Sequence, residues 1–201
     1  MLKTDQITLL SELNQAQIDQ AFAVLVESFY STFKAITKDK ALLQAFFSDI
    51  FDHSMTYALL KGERVVGFLS LGNCRERSVK PTKEIGQKHF GKVKGAAVAW
   101  AFGLQNIMFV HSEDEASIDY LATDPACRGQ GVASGMIEYL CKTLPYRAYL
   151  LETQTINATA RRLYEKTGFK LVDVKVHSWY IPFFSRLFGQ GAPLLYRLDL
   201  S

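Results

Sequence analysis

The stretch RGQGVASG, from Arg128 to Gly135, holds an arginine and three glycines within eight residues. It follows Asp124-Pro125, which ends a short apolar run, and it leads into an amphipathic segment that lacks an obvious side-chain cap. Glycines let the backbone bend and let a ligand approach it closely. The first amides of a helix have no partner within the helix and carry partial positive charge. With the charge of Arg128 beside them, these amides predict a site for an anion such as phosphate.

The glycine-rich turn differs from two common phosphate-binding motifs. It lacks the Gly-Lys-Ser/Thr ending of a nucleotide P-loop. It also does not complete the GxGxxG pattern of dinucleotide-binding proteins, since Ala133 stands among the residues between its second and third glycines. A flexible connection between a strand and a helix, with an arginine at the surface, is the alternative interpretation of the same residues.

The segments around the turn predict a strand–helix–strand unit. Alternation and β-branched residues indicate a strand over 116–123, and the turn at 124–131 leads to a helix over about 131–143. A further strand is predicted over 147–153, followed by a helix that ends at Gly168. The second half of the chain therefore contains one clear strand–helix–strand unit of a mixed α/β domain.

The remaining segments predict a single mixed α/β domain over residues 1–201. A strand at 7–13 precedes two helices, the second capped by Asp39, and Lys61-Gly62-Glu63 marks a hairpin. Residues 74–112 form an insertion, with a basic loop that leads into an apolar helix near 95–110. Two closing strands flank an apolar hairpin loop at 181–193.

Composition restricts the class of protein. A net charge of +3 with scattered basic residues argues against a nucleic-acid partner, and the four histidines are too far apart to form a metal motif. Three cysteines without a CxxC pair favour a reducing compartment, so we expect a cytoplasmic protein. The N-terminus is too short and polar for a secretory signal, and the apolar run at 95–110 is shorter than the roughly 20 residues of a membrane span.

Two motifs resemble one known family. RGQGVA matches the Q/R-x-x-G-x-G/A signature of the GNAT superfamily of acyl-CoA-dependent N-acyltransferases, and NATARRLYEKTGF, residues 157–169, matches its N-x-x-A-x-x-L-Y-x-x-x-G-F pattern. The close resemblance covers roughly residues 116–172. It implies a mixed, mostly antiparallel twisted sheet with a central splayed parallel strand pair and flanking helices.

The resemblance implies acetyl-CoA as co-substrate, without a metal. The pantetheine arm of coenzyme A would pair with the end of the strand before the turn, and a backbone amide near Leu121 or Ala122 would hold the oxyanion. Asn157 would also bind the arm, although its position equally suits a helix N-cap. The implied cofactor-binding residues are Leu121, Ala122, Thr123, Arg128, Gly129, Gln130, Gly131, Val132, Ala133, Ser134, Asn157 and Tyr164.

Tyr164 matches a tyrosine that, in many family members, faces the thioester sulfur and protonates the leaving thiolate. A thiolate leaving group, with a pKa near 8.5, benefits from a nearby proton donor. The resemblance therefore implies direct attack by a primary amine on the thioester, with Tyr164 as general acid. The alternative is that Tyr164 is only an aromatic residue on the buried face of an amphipathic helix.

The attacking amine must lose a proton, and two carboxylates are candidate bases. Strand alternation places Asp119 on the same side as Leu121, and Glu115 shares that parity unless a bulge, common in this strand of the family, breaks it. A solvated carboxylate at the sheet edge is the alternative for both residues. His111 and His177 are weaker candidates, because a lone histidine is more often structural.

Aromatic segments at 27–36 and 179–196 suggest an acceptor pocket or, alternatively, hydrophobic core with a homodimer contact. The moderate charge of the chain favours a small-molecule amine as acceptor. Membrane contact through the loop around Phe183 is not expected, because few charges flank that loop. Two rival functions stay open: a non-catalytic acyl-CoA-binding or sensing module of the same fold, and an enzyme that uses another phosphate cofactor.

Overall fold

A computed structural model describes residues 5–105, 112–174 and 192–200 of the chain. Within them, seven strands form one sheet and six α-helices pack with it. In chain order the elements are β1 (Asp5–Leu9), α1 (Gln15–Phe33), α2 (Lys40–Ile50), β2 (Thr56–Lys61), β3 (Arg64–Asn73), α3 (Lys83–Phe90), α4 (Lys92–Gln105), β4 (Glu115–Thr123), α5 (Val132–Thr143), β5 (Ala148–Gln154), α6 (Ala158–Lys166), β6 (Lys170–Val174) and β7 (Pro193–Asp199).

The sheet has the strand order β1-β2-β3-β4-β5-β7-β6. The pairing of β4 with β5 is parallel, and the other described pairings are antiparallel. The predicted mixed, mostly antiparallel sheet with a central parallel pair is confirmed. The parallel pair arises because α5 carries the chain from the end of β4 back to the start of β5.

Two apolar clusters cover the two faces of the sheet. Neighbouring residues of β3 join opposite clusters: Phe68 packs on the side of α1 and α2, and Leu69 on the side of α5 and α6. A capping box at Asn14 begins α1, and the predicted cap Asp39 begins α2 by accepting a hydrogen bond from the amide of Leu42. The cluster of α5 and α6 is the one that bears on the site described below.

The insertion at 74–112 differs most from its prediction. Its basic stretch contains α3, and the apolar helix begins at Lys92 and is described as far as Gln105. A Cβ atom on Gly86 would lie 2.2 Å from the carbonyl oxygen of Gly95, and one on Gly95 would lie 2.1 Å from that of Gly86. The two glycines therefore bring two helix backbones into contact, although Gly86 lies in the stretch predicted to be a loop.

The ends of the chain agree only partly with their prediction. The first strand ends at Leu9, and a single 3-10 turn, Leu10–Glu12, replaces the rest of the predicted strand. The predicted apolar loop at 181–193 lies outside the described residues, apart from residues 192 and 193. Among the helices that the structure describes, none has both the length and the apolar character that crossing a bilayer requires.

Candidate active site

The parallel strands β4 and β5 separate part-way along their length. They share four residue pairs, of which the last is Ile118 with Leu151. β4 then continues to Thr123 and β5 to Gln154, and no pairing joins them over this described stretch. The backbone groups of β4 that face this gap are therefore available to an added strand. The residues predicted to pair with the pantetheine arm, Leu121, Ala122 and Thr123, lie along the gap.

A β-bulge in β4 marks the start of the gap. Two consecutive residues of β3 pair with Tyr120 and Ile118, which leaves Asp119 as the extra residue. The bulge changes the side on which residues fall: Ile118 packs with α5 and α6, whereas Tyr120 packs with α1 and α2. Leu121 packs on the side of α5 and α6. The expectation that Asp119 shares its side with Leu121 is wrong, because the bulge breaks the alternation between them.

The glycine-rich turn begins where β4 ends. Asp124 caps a short 3-10 turn, Pro125–Cys127, by accepting a hydrogen bond from the amide of Ala126 at 2.8 Å. Gly129 and Gly131 then adopt φ angles of 75° and 82°, a conformation that residues with a side chain rarely adopt. Gly131 is the N-cap of α5, and no side chain caps this helix. The first amides of α5 consequently keep their hydrogen-bonding capacity for a ligand.

The surface of this turn has the chemistry that a phosphate requires. A Cβ atom on Gly129 or Gly131 would meet nothing within 4 Å, so the space over the turn is open. Arg128 is exposed beside it, and the side chain of Gln130 folds back to donate to the carbonyl of Ala126 at 3.1 Å. The coenzyme A pyrophosphate therefore fits the residues predicted for it, namely Arg128, Gly129, Gln130, Gly131, Val132, Ala133 and Ser134.

Asn157 caps α6 and retains a free hydrogen-bonding group. Its side-chain oxygen accepts from the amide of Ala160 at 3.1 Å, which is the predicted N-cap contact. The residue is exposed, and capping uses only the oxygen of its side-chain amide. The NH₂ group is the part of Asn157 that can donate to a ligand.

Tyr164 of α6 is a buried phenol. Its side chain is 8% exposed, and the rings of Phe169 and Tyr196 lie 5.9 and 6.0 Å from its own. The hydroxyl of Tyr196 donates to Glu165, but no hydrogen bond joins the hydroxyl of Tyr164 to any residue that the structure describes. Burial raises the pKa of Tyr164 to about 12. At neutral pH the phenol is therefore protonated and acts as a donor.

The apolar cluster around Tyr164 connects it to the gap. The same cluster contains Ile118 and Leu151, the last residue pair before β4 and β5 separate, and Leu121 packs against it from β4. A phenol, a backbone edge and a glycine-rich turn thus follow one another along the same side of the sheet. This arrangement can bind a long molecule with an anionic end, and it has a buried phenol in the apolar cluster that lines the start of the gap.

Asp119 belongs to a buried polar cluster that the sequence did not indicate. Arg77 Nη2 and Ser117 Oγ donate to its Oδ1 at 2.8 and 2.7 Å, and Ser78 Oγ donates to its Oδ2 at 2.7 Å. The side chains of Arg77 and Asp119 are 12% and 4% exposed. On the neighbouring strand Gly72 leaves room, since a Cβ there would lie 2.9 Å from Oδ2. Asp119 is thus a partner in a buried ion pair and differs from the solvated carboxylate of the alternative interpretation.

Glu115, the other predicted base, is the first residue of β4. Its Oε1 accepts a hydrogen bond from Arg197 Nη1 at 2.6 Å, and its side chain is 14% exposed. Leu121 lies six residues further along the strand, which is roughly 20 Å at 3.3 Å per residue. The position of Glu115 therefore favours an ion pair between strands over contact with groups that react near Leu121.

The acceptor side of the site is only partly described. Phe33 of α1 is 4% exposed and packs 4.4 Å from the ring of Phe47, so it belongs to the core. His111, His177 and residues 179–191 lie outside the described residues, and the acceptor pocket and homodimer contact stay predictions. No group of three or more His, Cys, Asp or Glu side chains in the described part of the chain is placed to hold a metal ion.

Comparison with known proteins adds a family match. The family model described as "Acetyltransferase (GNAT) family" matches residues 18–169, which is more than half of the chain. No curated protein matches the sequence.

Solved structures of low sequence identity share the fold. Ard1 from Thermoplasma volcanium superposes with a TM-score of 0.55 at 15% identity, covering 98% of this chain and 99% of its own. A GNAT family acetyltransferase from Bacillus cereus gives 0.57 at 10% identity, with 98% of each chain covered. An N-acetyltransferase from Staphylococcus aureus gives 0.58 at 14% identity and covers 96% of this chain and 100% of its own.

Proposed function

Because the chain belongs to the GNAT acetyltransferase family, we propose that it transfers an acetyl group from acetyl-CoA to a primary amine of a small-molecule acceptor. The observation that carries the proposal is the gap between β4 and β5, which leads directly into the glycine-rich turn. Such a gap suits an extended arm, and the turn suits the phosphates at its end. The scattered charge of the chain, net +3, supports a small acceptor over a polyanionic partner.

Binding is divided among three parts of the site. When bound, acetyl-CoA supplies an activated acyl group as a thioester. The amides of residues 129–134, with Arg128 at the rim, hold the pyrophosphate, and Leu121, Ala122 and Thr123 pair with the pantetheine arm. The NH₂ group of Asn157 donates to the same arm, because its oxygen already caps α6.

Tyr164 donates its phenolic proton toward the departing sulfur. In water a thiol has a pKa near 8.5, well below the value of about 12 for the buried phenol. An apolar gap raises the pKa of a thiol as well, because burial disfavours the thiolate. As the amine bonds to the carbonyl carbon and the carbon–sulfur bond breaks, the phenol first stabilises the developing thiolate by a hydrogen bond. The sulfur takes the proton where the apolar gap raises the pKa of the thiol, and the phenol regains a proton from solvent.

The acceptor amine must be neutral when it attacks, so a group of the protein has to take its proton. Asp119 lies one residue past the last pair between β4 and β5, whereas Glu115 lies three residues before it. Of the two predicted bases we therefore favour Asp119. Arg77, Ser78 and Ser117 already bind its carboxylate, and a water molecule would have to carry the proton to it.

Calorimetric titration with acetyl-CoA, CoA and ATP tests the cofactor first. We expect micromolar affinity for acetyl-CoA and CoA and no binding of ATP; the reverse preference would point to an enzyme with another phosphate cofactor. Release of CoA in the presence of a panel of primary amines then tests transfer. Tight binding without turnover on any amine would favour the non-catalytic acyl-CoA-binding module.

Replacing Gly131 with valine should weaken the binding of CoA by at least about tenfold. A side chain at a φ of 82° is strained and would stand in the open space where the phosphates approach. Gly135→Val is the matched control: it adds the same side chain four residues further along, where a Cβ also meets nothing within 4 Å but the backbone is helical. Equal CoA affinity of the two folded variants would contradict the phosphate role of the turn.

A further inference from the structure

The tip of the β2–β3 hairpin lies against the glycine-rich turn. Lys61 and Arg64 form the last pair of the hairpin, and Gly62, with a φ of 62°, closes it between them. The ammonium group of Lys61 donates to Oε1 of Gln130 at 2.9 Å. The same Gln130 side chain donates through Nε2 to the carbonyl of Ala126. One side chain of the turn thus fixes the position of an ammonium group that comes from a different part of the chain.

The ammonium group of Lys61 contacts a neutral partner. Arg64, its neighbour in the hairpin, forms an ion pair with Asp124 at 2.7 Å. Lys61 instead donates a hydrogen bond to the neutral side-chain amide of Gln130. An ammonium group has three donors, so the bond to Gln130 leaves two of them for another acceptor. The amide of Ala126, together with Arg64 and Arg128, lowers the pKa of Asp124, so Arg128 on the turn interacts with the same carboxylate as Arg64.

The positive groups around the start of α5, namely Lys61, Arg64 and Arg128, outnumber the one carboxylate among the described residues that they contact or face, Asp124. The N-terminus of α5 carries partial positive charge, and Lys61 and Arg128 stand beside it. A group with more than one negative charge would bind all three at once.

We propose that Lys61 is a further ligand for the phosphate groups at the nucleotide end of coenzyme A, supplied by the β2–β3 hairpin from outside the glycine-rich turn. The inference rests on the proposed function, since it assumes that CoA binds to this turn. The pyrophosphate and the 3′-phosphate of CoA offer the same chemistry to an ammonium group. Their contributions can be separated by experiment.

The test is the dissociation constant of the full chain for CoA and for 3′-dephospho-CoA, measured by calorimetry. Lys61→Met removes the charge and keeps most of the length of the side chain, and we expect it to weaken CoA binding about tenfold. An equal loss with dephospho-CoA would assign Lys61 to the pyrophosphate. A loss that disappears with dephospho-CoA would assign it to the 3′-phosphate, and either result supports the inference.

Lys142→Met is the matched control. Lys142 lies in the last turn of α5, is 71% exposed and pairs with Glu138, so this variant removes the same charge far from the turn. We expect its affinity for CoA to change less than twofold, and Lys61→Arg to retain most of the wild-type affinity. Wild-type affinity of Lys61→Met for both ligands, or an equal loss in Lys142→Met, would overturn the inference. A wild-type protein that binds no CoA would instead overturn the proposed function.

Discussion

Replacing Tyr164 with phenylalanine is expected to lower kcat about 100-fold or more, and to change the affinity for acetyl-CoA less than twofold. The substitution removes only a hydroxyl that has no hydrogen-bond partner among the described residues, so the ring keeps its packing against Phe169 and Tyr196. If the hydroxyl acts as the acid, its loss affects the departure of the thiolate and not the binding of the cofactor. Steady-state kinetics and calorimetric titration of the same preparation separate the two effects.

Tyr196→Phe is the matched control for this prediction. It removes a hydroxyl from the neighbouring ring, and that hydroxyl donates to Glu165 at 3.2 Å. We expect kcat of this variant to stay within about threefold of wild type, in keeping with the modest net value of one hydrogen bond. Similar losses of kcat in both variants, or a parallel loss of acetyl-CoA affinity in Tyr164→Phe, would argue that the tyrosine cluster is only structural.

The pKa of Tyr164 also predicts the shape of the pH profile. Burial raises this pKa to about 12, and the protonated phenol is the active form. Its protonated fraction therefore falls only as the pH rises through about 12. We expect no decrease of kcat between pH 8 and 10 that depends on Tyr164, and a decrease there that disappears in Tyr164→Phe would contradict the assignment.

Replacing Arg77 with methionine is expected to lower the free energy of unfolding by about 3–5 kcal/mol, because it leaves the carboxylate of Asp119 buried without its cationic partner. The two side chains are 12% and 4% exposed, and Arg77 also donates to Ser117 at 3.2 Å. For a domain of this size the melting temperature should fall by roughly 10 °C. Urea unfolding and thermal melting would measure the loss.

Arg75→Met is the control, since it removes an arginine two residues away whose pair with Glu113 is exposed. An exposed pair contributes up to about 1 kcal/mol, so this variant should melt close to wild type. If the free energy of unfolding of Arg77→Met falls by no more than that of Arg75→Met, the buried cluster does not stabilise the fold.

The double variant Asp119→Asn/Arg77→Met should be more stable than Arg77→Met alone, because it no longer contains a buried carboxylate without a cationic partner.

The single variant Asp119→Asn separates the structural role of Asp119 from its proposed role in catalysis. A large loss of kcat in this variant at a temperature where it is folded supports Asp119 as the base, and unchanged kcat contradicts it.

The central unit of the fold could be predicted because its signals are local. The alternation in β4, the glycines at 129 and 131 and the helix-capping Asn157 all act within a few residues of their own position. Their order along the chain also places them in space, because a strand–helix–strand unit has one favoured handedness. The turn and the cap were therefore predictable from local sequence signals, whereas the role of Tyr164 was implied by the family resemblance.

The residues missed in the sequence act over long separations. Arg77 and Asp119 are separated by 42 positions in the sequence, and Lys61 and Gln130 by 69. No local sequence pattern therefore predicts either contact. The bulge at Asp119 depends on the register between two strands, which a single strand does not reveal. Gly86 misled for a related reason, because a glycine that interrupts a chain in a loop and one that lets two helices touch cannot be told apart in a sequence.

The gap has a further consequence for the cohesion of the protein. In the described part of the sheet, strands β1–β4 and strands β5–β7 are linked to each other through only four residue pairs, those between β4 and β5. A molecule whose amide groups form hydrogen bonds in the gap would bridge strands β4 and β5 along the part of their length where they do not pair. A ligand that binds only the folded protein adds about 2.7 kcal/mol to the free energy of unfolding when it is present at 100 times its dissociation constant. A ligand in this gap would therefore stabilise the fold along the line where β4 and β5 share only four described residue pairs.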